Sequence, residues 1–386
     1  MPQDYLGPSA AIDLVASVGG IDTETIVRFQ QRANMSPQEA INTAAAAVGA
    51  ANATLLQQYG AIAYLTDDVQ AQYRTNAGSG KTARTPEFTE ADAIRGKLSG
   101  HMLPEYDHLD KLGWSSKFFR EASRALMDAN IQEVVDNWFN RVTYDILTRM
   151  FSPEELAIGS GYSVGWAIGS GASASFSPSM TINVPYTPPQ YQNTEFLDTH
   201  VHYLAQNSSS SKTYGTLLDA MIGELRHHGL DGTPFALVSD DDLDSYIALS
   251  KFVEITPQDL QIIQGGSAEI RTIMGNLTGV PGTLFGYYKS KRGLIPLRSH
   301  SKVPSKYAWM GISYGSNNPR NSVAIRVAPG VPWGLTPVPQ MDNSQQRRLA
   351  GINFEATHGV GVNSRINGVA GYLDAGATAY VTPTIS

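Results

Sequence analysis

From Trp114 to Ser152 the chain carries neither glycine nor proline, the residues that most readily interrupt a helix, and Gly113 and Pro153 bound the stretch. The spacing predicts one helix over 115–152. Apolar residues recur at helical intervals (Phe118, Phe119, Ala122, Ala125, Leu126, Ala129, Val134, Val135, Trp138, Phe139, Val142, Ile146, Met150), and charged ones such as Arg120, Asp128, Glu133, Asp136 and Arg141 fill the other face. Ser115 or Ser116 can cap the start, and Pro153 ends the hydrogen-bond ladder. At about 1.5 Å per residue the helix would reach ~55 Å, longer than a small domain is wide, so a beam through an extended subunit is expected. The apolar positions drift and double instead of keeping a strict heptad, which argues against a coiled-coil seam.

The 386 residues leave room for two or three domains of roughly 150 residues and for a buried core. There is no cysteine, which removes disulfides, thiolate metal sites and a cysteine nucleophile. A formal net charge of -7 gives no general attraction to nucleic acid, whose binding is driven by Lys and Arg at phosphates. Charged residues make up 16% of the chain, against roughly 25% in an ordinary soluble domain, and glycine is plentiful. A polar but weakly charged surface of this kind suggests that much of it faces other protein. The first residues lack the basic and apolar regions of a signal peptide, and no apolar run approaches the ~20 residues that cross a bilayer, so no membrane association is expected.

Residues 1–35 read as an arm. Ser36, Pro37 and Glu39 form a capping box in sequence, predicting an Ala-rich helix to about Gln58 that Gly60 closes. A short helix or strand over 61–73 and a flexible break at 76–80 follow. Residues 83–113 show no clean period, contain Pro86, Gly96, Gly100 and Pro104, and are expected to project. Beyond the long helix, 159–179 reads as a glycine-rich hairpin region. Strands are expected over 180–184 and 196–203, then a polar linker at 207–211. Leu217, Leu218, Met221, Ile222 and Leu225 form one helical face closed by His227, His228 and Gly229. A buried strand at 235–238, a helix from Asp240 to about Lys251 capped by Ser239, helices near 257–264 and 268–274, and strands near 283–288, 307–312 and 323–327 complete a compact α/β module. The tail alternates as β-structure at 352–362, turns at Asn367-Gly368, and ends in a strand over 377–382.

Each hint of chemistry has a plainer reading. Gly78 to Thr82 resembles the end of a phosphate-binding loop, but its leading glycine would fall at Thr75 and no buried strand precedes it, so a hinge is the better reading. Gly159, Gly161 and Gly165 approach a dinucleotide fingerprint that Val164 breaks. Asp240, Asp241, Asp242 and Asp244 lack the ligand spacing of a calcium loop and suit the first turn of a helix. His200 and His202 would share a strand face, with no third ligand nearby; surface or subunit-contact histidines are expected. No nucleophile motif of the G-x-S-x-G type occurs.

The order arm, projecting segment, very long helix, Gly/Pro-rich β region, α/β module and β tail resembles the major capsid proteins of tailed bacteriophages, which share the Hong Kong ninety-seven fold. The telling stretches are TYGTLLDAMIGELRHHGLDGTPFALVSDDDLDSYIAL (213–249), similar to the axial-domain helix, strand and helix, and GVGVNSRINGVAGYLDAGATAYV (359–381), similar to the closing β segment. The resemblance implies an α+β fold with an N-terminal arm (1–82), an extended loop (83–113), a peripheral domain with its spine helix (114–211), an axial α/β domain (212–339) and a C-terminal β segment returning to the peripheral domain (340–386). Residues 83–113 are poor in β-branched residues, which argues against a regular hairpin there.

By the same resemblance the chain would self-assemble as pentamers and hexamers into the icosahedral head shell around double-stranded DNA, held without sequence-specific binding. It would assemble in the host cytoplasm and reside in the virion. No catalytic, cofactor or metal site is implied. Its partners would be itself, with scaffolding, portal and decoration proteins. A sequence starting at Met1 suggests that no large prodomain is removed and that scaffolding is a separate protein. Arg95 and Lys97 are the expected inter-subunit contacts, with Gly96 and Gly100 turning the loop tip. Some capsids of this family weld the loop lysine to a neighbouring asparagine, for which Lys97 with Asn363 or Asn367 would be the candidates. An encapsulin-type nanocompartment shell and a soluble α/β enzyme with a deep pocket are the alternatives.

Overall fold

The structure, a computed structural model, describes residues 37–75, 97–115, 124–153, 156–158, 161–167, 201–209, 211–255, 280–340 and 349–385. In chain order come helix α1 (Pro37–Tyr59), strands β1 (Ala63–Thr66), β2 (Gln70–Thr75), β3 (Lys97–Met102) and β4 (Tyr106–Ser115), and the long helix α2 (Arg124–Phe151). The hairpin β5 (Leu156–Ile158) and β6 (Gly161–Ser163), strand β7 (Tyr203–Asn207), helix α3 (Tyr214–His227), strand β8 (Thr233–Ser239) and the short helix α4 (Leu243–Ile247) follow. Then come β9 (Phe252–Glu254), β10 (Thr283–Ser290), β11 (Gly293–His300), β12 (Tyr307–Ser313), β13 (Val323–Val327), β14 (Thr336–Gln340), β15 (Leu349–Val362) and β16 (Val369–Asp374). The fold is α+β.

The chain divides into two compact units. The first comprises Met1–Thr54, Asp107–Arg141 and Pro332–Thr357. Within it β14 pairs antiparallel with the opening half of β15, from Thr336 opposite Glu355 to Gln340 opposite Gly351. Met127, Ile131, Val134, Val135 and Trp138 form the buried stripe of α2 here, while Asn52 on α1 hydrogen-bonds Trp138 and Leu335.

The second unit comprises Leu55–Tyr106, Val142–Val331 and His358–Ser386. Its main body is a seven-stranded mixed sheet in the order β7-β16-β12-β8-β11-β10-β9. The central strands β8 and β12 are buried along nearly their whole length, which is why PFALVS and YAWMGIS read as continuous apolar runs instead of alternating. Helix α3 lays Leu217, Leu218, Met221, Ile222 and Leu225 onto Ala236, Val238, Ile295, Leu297, Met310 and Val369. Full burial of each large apolar side chain stabilises by roughly 1.5–3 kcal/mol before entropy is set against it. The helix starts where Thr216 Oγ1 accepts the Thr213 N–H at 2.9 Å and stops at the cap residue His228, close to the predicted ends. In the same unit β1 runs parallel to β13, β13 pairs with residues 358–362 of β15, and β2 pairs with β3. Tyr59 and Thr143 share a 2.8 Å hydrogen bond, and the Trp166 indole donates to the Met150 carbonyl at 2.9 Å.

Several expectations need correction. Ser115 ends strand β4 instead of opening a helix; the long helix is described from Arg124, and residues 116–123 lie outside the described residues. Its buried stripe at this end passes through Met127 and Ile131, leaving Leu126 46% exposed, because the 3.6-residue repeat that includes Trp138 and Val142 extends back to those two positions. Of the segment expected to lack regular structure, 97–102 and 106–115 are strands. Gly100 sits inside β3 opposite Gln72 and not at a turn: a Cβ there would lie 2.4 Å from the Ala71 carbonyl oxygen, so a close backbone approach is what needs glycine. The helix after Ser239 is a 3-10 turn plus the five residues of α4, shorter than expected. Asn367-Gly368 does not join a hairpin, since β15 pairs with β13 and β14 whereas β16 pairs with β12 and β7. Residues 377–382 form no strand. The expected elements at 180–184, 257–264 and 268–274 lie outside the described residues.

Candidate functional site

Arg95 lies outside the described residues, as do the phosphate-loop resemblance at 78–82 and His200. Lys97 is the first residue of β3, paired with Thr75 of β2. Gly161 opens β6 of a small hairpin opposite Ile158, a strand position rather than a dinucleotide turn, and Gly165 packs where a Cβ would lie 2.3 Å from the Tyr203 hydroxyl. Asn363 donates its amide to the carbonyls of Pro319 and Asn321 at 2.6 and 2.9 Å. Asn367 is fully buried. Its amide accepts from the Ile312 N–H at 2.8 Å and donates to the carbonyls of Ile312 and Arg320, which removes it as a surface partner for a lysine.

His202 is also a core residue, not a surface one. Its Nδ1 donates to the Gly368 carbonyl at 2.7 Å, and its Nε2 lies 2.8 Å from Nε2 of His228, the cap residue of α3. A carbonyl can only accept, so His202 carries its proton on Nδ1 and, when neutral, takes the His228 proton at Nε2. The pair therefore ties the chain entering β7 to the end of α3.

The side of α3 away from its apolar stripe carries a polar cluster. Asp219 receives Lys251 Nζ at 2.7 Å, Ser290 Oγ at 2.8 Å and Tyr288 Oη at 3.0 Å. Burial alone would raise its pKa, but the hydrogen bonds from Lys251, Ser290 and Tyr288 hold the carboxyl below its ordinary value. With both oxygens saturated, Asp219 is a structural anchor and not an available base. One turn further along α3, Gly223 leaves a notch beneath Arg292, whose guanidinium nitrogen would lie 2.8 Å from a Cβ there and which reaches the Asp219 carbonyl at 3.5 Å. Asp219, Ala220, Gly223, Glu224, Arg226, His227 and Arg292 line a surface cleft of about 440 Å³. Burial raises the Glu224 carboxyl despite the opposing pull of His227 and Arg292.

The acidic run occupies the opposite end of the helix. Ser239 Oγ accepts the Asp241 N–H at 3.2 Å, a cap as the sequence predicts. Asp242 is buried and accepts from Ser305 Oγ at 2.9 Å and from the Lys306 N–H at 2.6 Å. Burial, and then the Asp242 charge, raise the pKa of Tyr214, the first residue of α3. Asp240, Asp241 and Asp244 remain exposed.

The basic counterpart to this acidic turn escapes a reading by motifs. Lys289, near the end of β10, and Lys291 and Arg292, in the turn before β11, are all exposed. Their clustering is legible as KSKRG, but only the fold sets Arg292 in one cleft with Arg226 and His227.

No family model matches the sequence, and no curated protein matches it. Among solved structures the chain is similar to one from Mycobacterium phage Patience, over 94% of this chain and 95% of that one, with a TM-score of 0.62 at 16% identity. It is also similar to the Cyanophage A-1(L) capsid asymmetric unit (TM-score 0.46, 11% identity, 84% of this chain and 93% of that one). A further similar structure is the holo-SrpI encapsulin complex from Synechococcus elongatus PCC 7942 (TM-score 0.41, 12% identity, 98% and 99%). The likeness that spans both chains at 0.62 is one of fold, and that fold is of the Hong Kong ninety-seven type.

Proposed function

We propose that this chain is the major capsid subunit of a tailed bacteriophage, assembling as pentamers and hexamers into a head shell around double-stranded DNA. The observation that carries the reading is the shared fold with a phage structure along nearly the whole length of both chains. A net charge of -7 suits a container that encloses DNA without gripping it. The role is mechanical, and residues 212–339, with α3, α4 and strands β8 to β12, would be the axial domain at capsomer centres. Arg95 and Lys97 would contact a neighbouring subunit. Scaffolding, portal and decoration proteins would be the further partners, and the mature location the virion.

Electron microscopy of the purified full-length chain, with nucleic-acid content measured on the same particles, tests the proposal. Closed icosahedral shells or isolated pentamers and hexamers are the expected result. A monodisperse monomer near 42 kDa at high concentration would overturn it in favour of a soluble enzyme. Small shells from the native source that hold protein cargo and no DNA would replace it with a nanocompartment.

A further inference from the structure

We propose that neighbouring subunits close their rings through a head-to-tail ionic contact, in which the acidic turn before α4 of one copy seats in the basic cleft at the far end of α3 of the next. The inference rests on the shell reading and names the contact that reading needs.

The charges are segregated along one helix. At the start of α3, beside Tyr214, the turn 240–244 exposes Asp240, Asp241 and Asp244, while Asp242 is consumed internally. Lys302 and Asp240 act on His300 in opposite senses, and setting that one pair of charges against each other still leaves Asp241 and Asp244 on this turn. Toward the other end, Lys291 and Arg292 in the turn before β11 are exposed, and Arg226 and Arg292 line the cleft, set against Glu224. Asp219 is already matched by Lys251. This end is net positive.

From Tyr214 to Gly223, beneath Arg292, is nine residues, ~14 Å of helix. That exceeds the Debye length of about 8 Å at physiological salt, so the two ends gain little from each other within one chain. A second copy placed head to tail brings them into contact. Since the two surfaces differ, the contact is heterologous and repeats around a ring, as pentamers and hexamers require.

The apolar surface beside the cleft favours protein over nucleic acid as occupant. The charges of Arg226 and Arg292 would attract either, but a turn that carries an apolar side chain beside its carboxylates also meets the apolar surface next to the cleft, which a phosphate backbone does not. Ile247 on α4 is 51% exposed, and Leu294, next to the basic turn, is 55% exposed. Each side thus offers an apolar side chain alongside its charges, the composition of a contact with a polar rim.

Charge reversal in the full-length chain tests this. Lys291→Glu with Arg292→Glu, and separately Asp241→Lys with Asp244→Lys, should each keep the wild-type circular dichroism and lower the assembled fraction roughly tenfold, read by sedimentation and electron microscopy. A chain carrying all four substitutions should assemble again. An equimolar mixture of the two double variants should form hexamers without pentamers, because complementary alternation closes only even rings. Should the Glu pair disturb folding, the neutral pair Lys291→Gln with Arg292→Gln is expected to assemble only at lower salt than wild type.

Unchanged assembly of either double reversal beside normal wild-type shells would overturn the contact and leave the shell reading standing. So would a four-fold variant no better than its parents, or an unchanged salt dependence of the Gln pair. A wild type that never assembles overturns both. Loss of retained DNA with intact shells would make the cleft a phosphate site and likewise overturn the contact.

Discussion

Asn52 pairs its side-chain amide with the backbone of Leu335 as one strand pairs with another: Oδ1 takes the Leu335 N–H at 3.1 Å, and Nδ2 donates to the Leu335 carbonyl at 2.9 Å. The same Oδ1 accepts the Trp138 indole N–H at 3.1 Å, and the Asn52 carbonyl accepts that of Trp333 at 3.3 Å. Gly334 makes the approach feasible. It sits at φ +92°, and a Cβ there would lie 2.2 Å from Asn52 Cγ. One amide thus joins α1, α2 and the segment leading into β14.

Asn52→Ala should therefore destabilise the chain by about 2–4 kcal/mol, since it removes both hydrogen bonds to the Leu335 peptide and the one from the Trp138 indole. Gly334→Ala should cost a similar amount through strain at positive φ and the clash with the same amide. Trp138→Asp, which places an unpaired carboxylate at a position 3% exposed, should cost several kcal/mol. Urea titration of the unassembled chain measures all three. A loss below about 0.5 kcal/mol for Asn52→Ala would deny the amide its role as a joint.

His101 predicts a specific acid sensitivity. It is 3% exposed, donates Nε2–H to the Val362 carbonyl at 2.8 Å, and is pushed down to about 3 by burial and then by the charges of Arg365 and Arg149. The folded protein keeps this imidazole neutral while the unfolded chain takes a proton below about 6.5, so stability is lost as pH falls from 6.5 toward 3. Between pH 7 and pH 5 the loss from this residue alone should be about 2 kcal/mol. His101→Gln can still donate to Val362 but cannot titrate. Its stability should fall less steeply over that range in denaturant titrations at each pH, and an unchanged slope would exclude His101 as the source.

The sequence made α3 legible almost to the residue because its signals are local: a five-residue apolar stripe, Thr213 before it and His228-Gly229 after it. What stayed hidden depended on distant partners. β14 contains Pro337 and Pro339, which argue against any strand, yet two prolines in alternate positions place both missing N–H groups on one side of a strand, and β14 lies at the end of its sheet order. β11 was masked by Pro296 in the same way. His202 finds His228 across the fold, and the cleft needs Arg292 beside Gly223, 69 positions earlier. No periodicity within one element could reveal either. Asn367-Gly368 has the composition of a hairpin turn, but β16 pairs with β12 of the seven-stranded sheet instead of folding back on β15.

The proposed contact through Arg95 and Lys97 can be separated from folding. Arg95→Ala with Lys97→Ala should leave circular dichroism unchanged and reduce the yield of closed shells. The effect should shrink as salt rises, because rim charges act mainly through screened attraction. No covalent ladder through Asn367 is expected in denaturing electrophoresis, since that amide is buried and fully engaged. Normal shell yield from the double variant would remove both residues from the contact.

Asn367 itself supplies the last prediction. Its Oδ1 accepts the Ile312 N–H, and its Nδ2 donates to the Ile312 and Arg320 carbonyls at 2.8 and 2.9 Å, so one side chain completes the hydrogen bonding where β12 leaves the sheet. Asn367→Ala strands three backbone groups in a fully buried position and should cost about 3 kcal/mol. Asn367→Asp keeps the volume and the acceptor but turns the donor into a second oxygen facing two carbonyls. Ionised, that carboxyl would be repelled by both; protonated, its O–H can still serve one of them. Its folded pKa should therefore rise above the unfolded value near 3.9, so the substitution is mildest at low pH and its penalty grows as pH rises through the unfolded and then the folded pKa. This is opposite in sign to the His101 effect. Stability measured at pH 4 and pH 7 should show N367D losing more, relative to wild type, at pH 7. An equal loss at both would mean that the second oxygen finds another donor and that the Ile312 and Arg320 carbonyls do not need the amide.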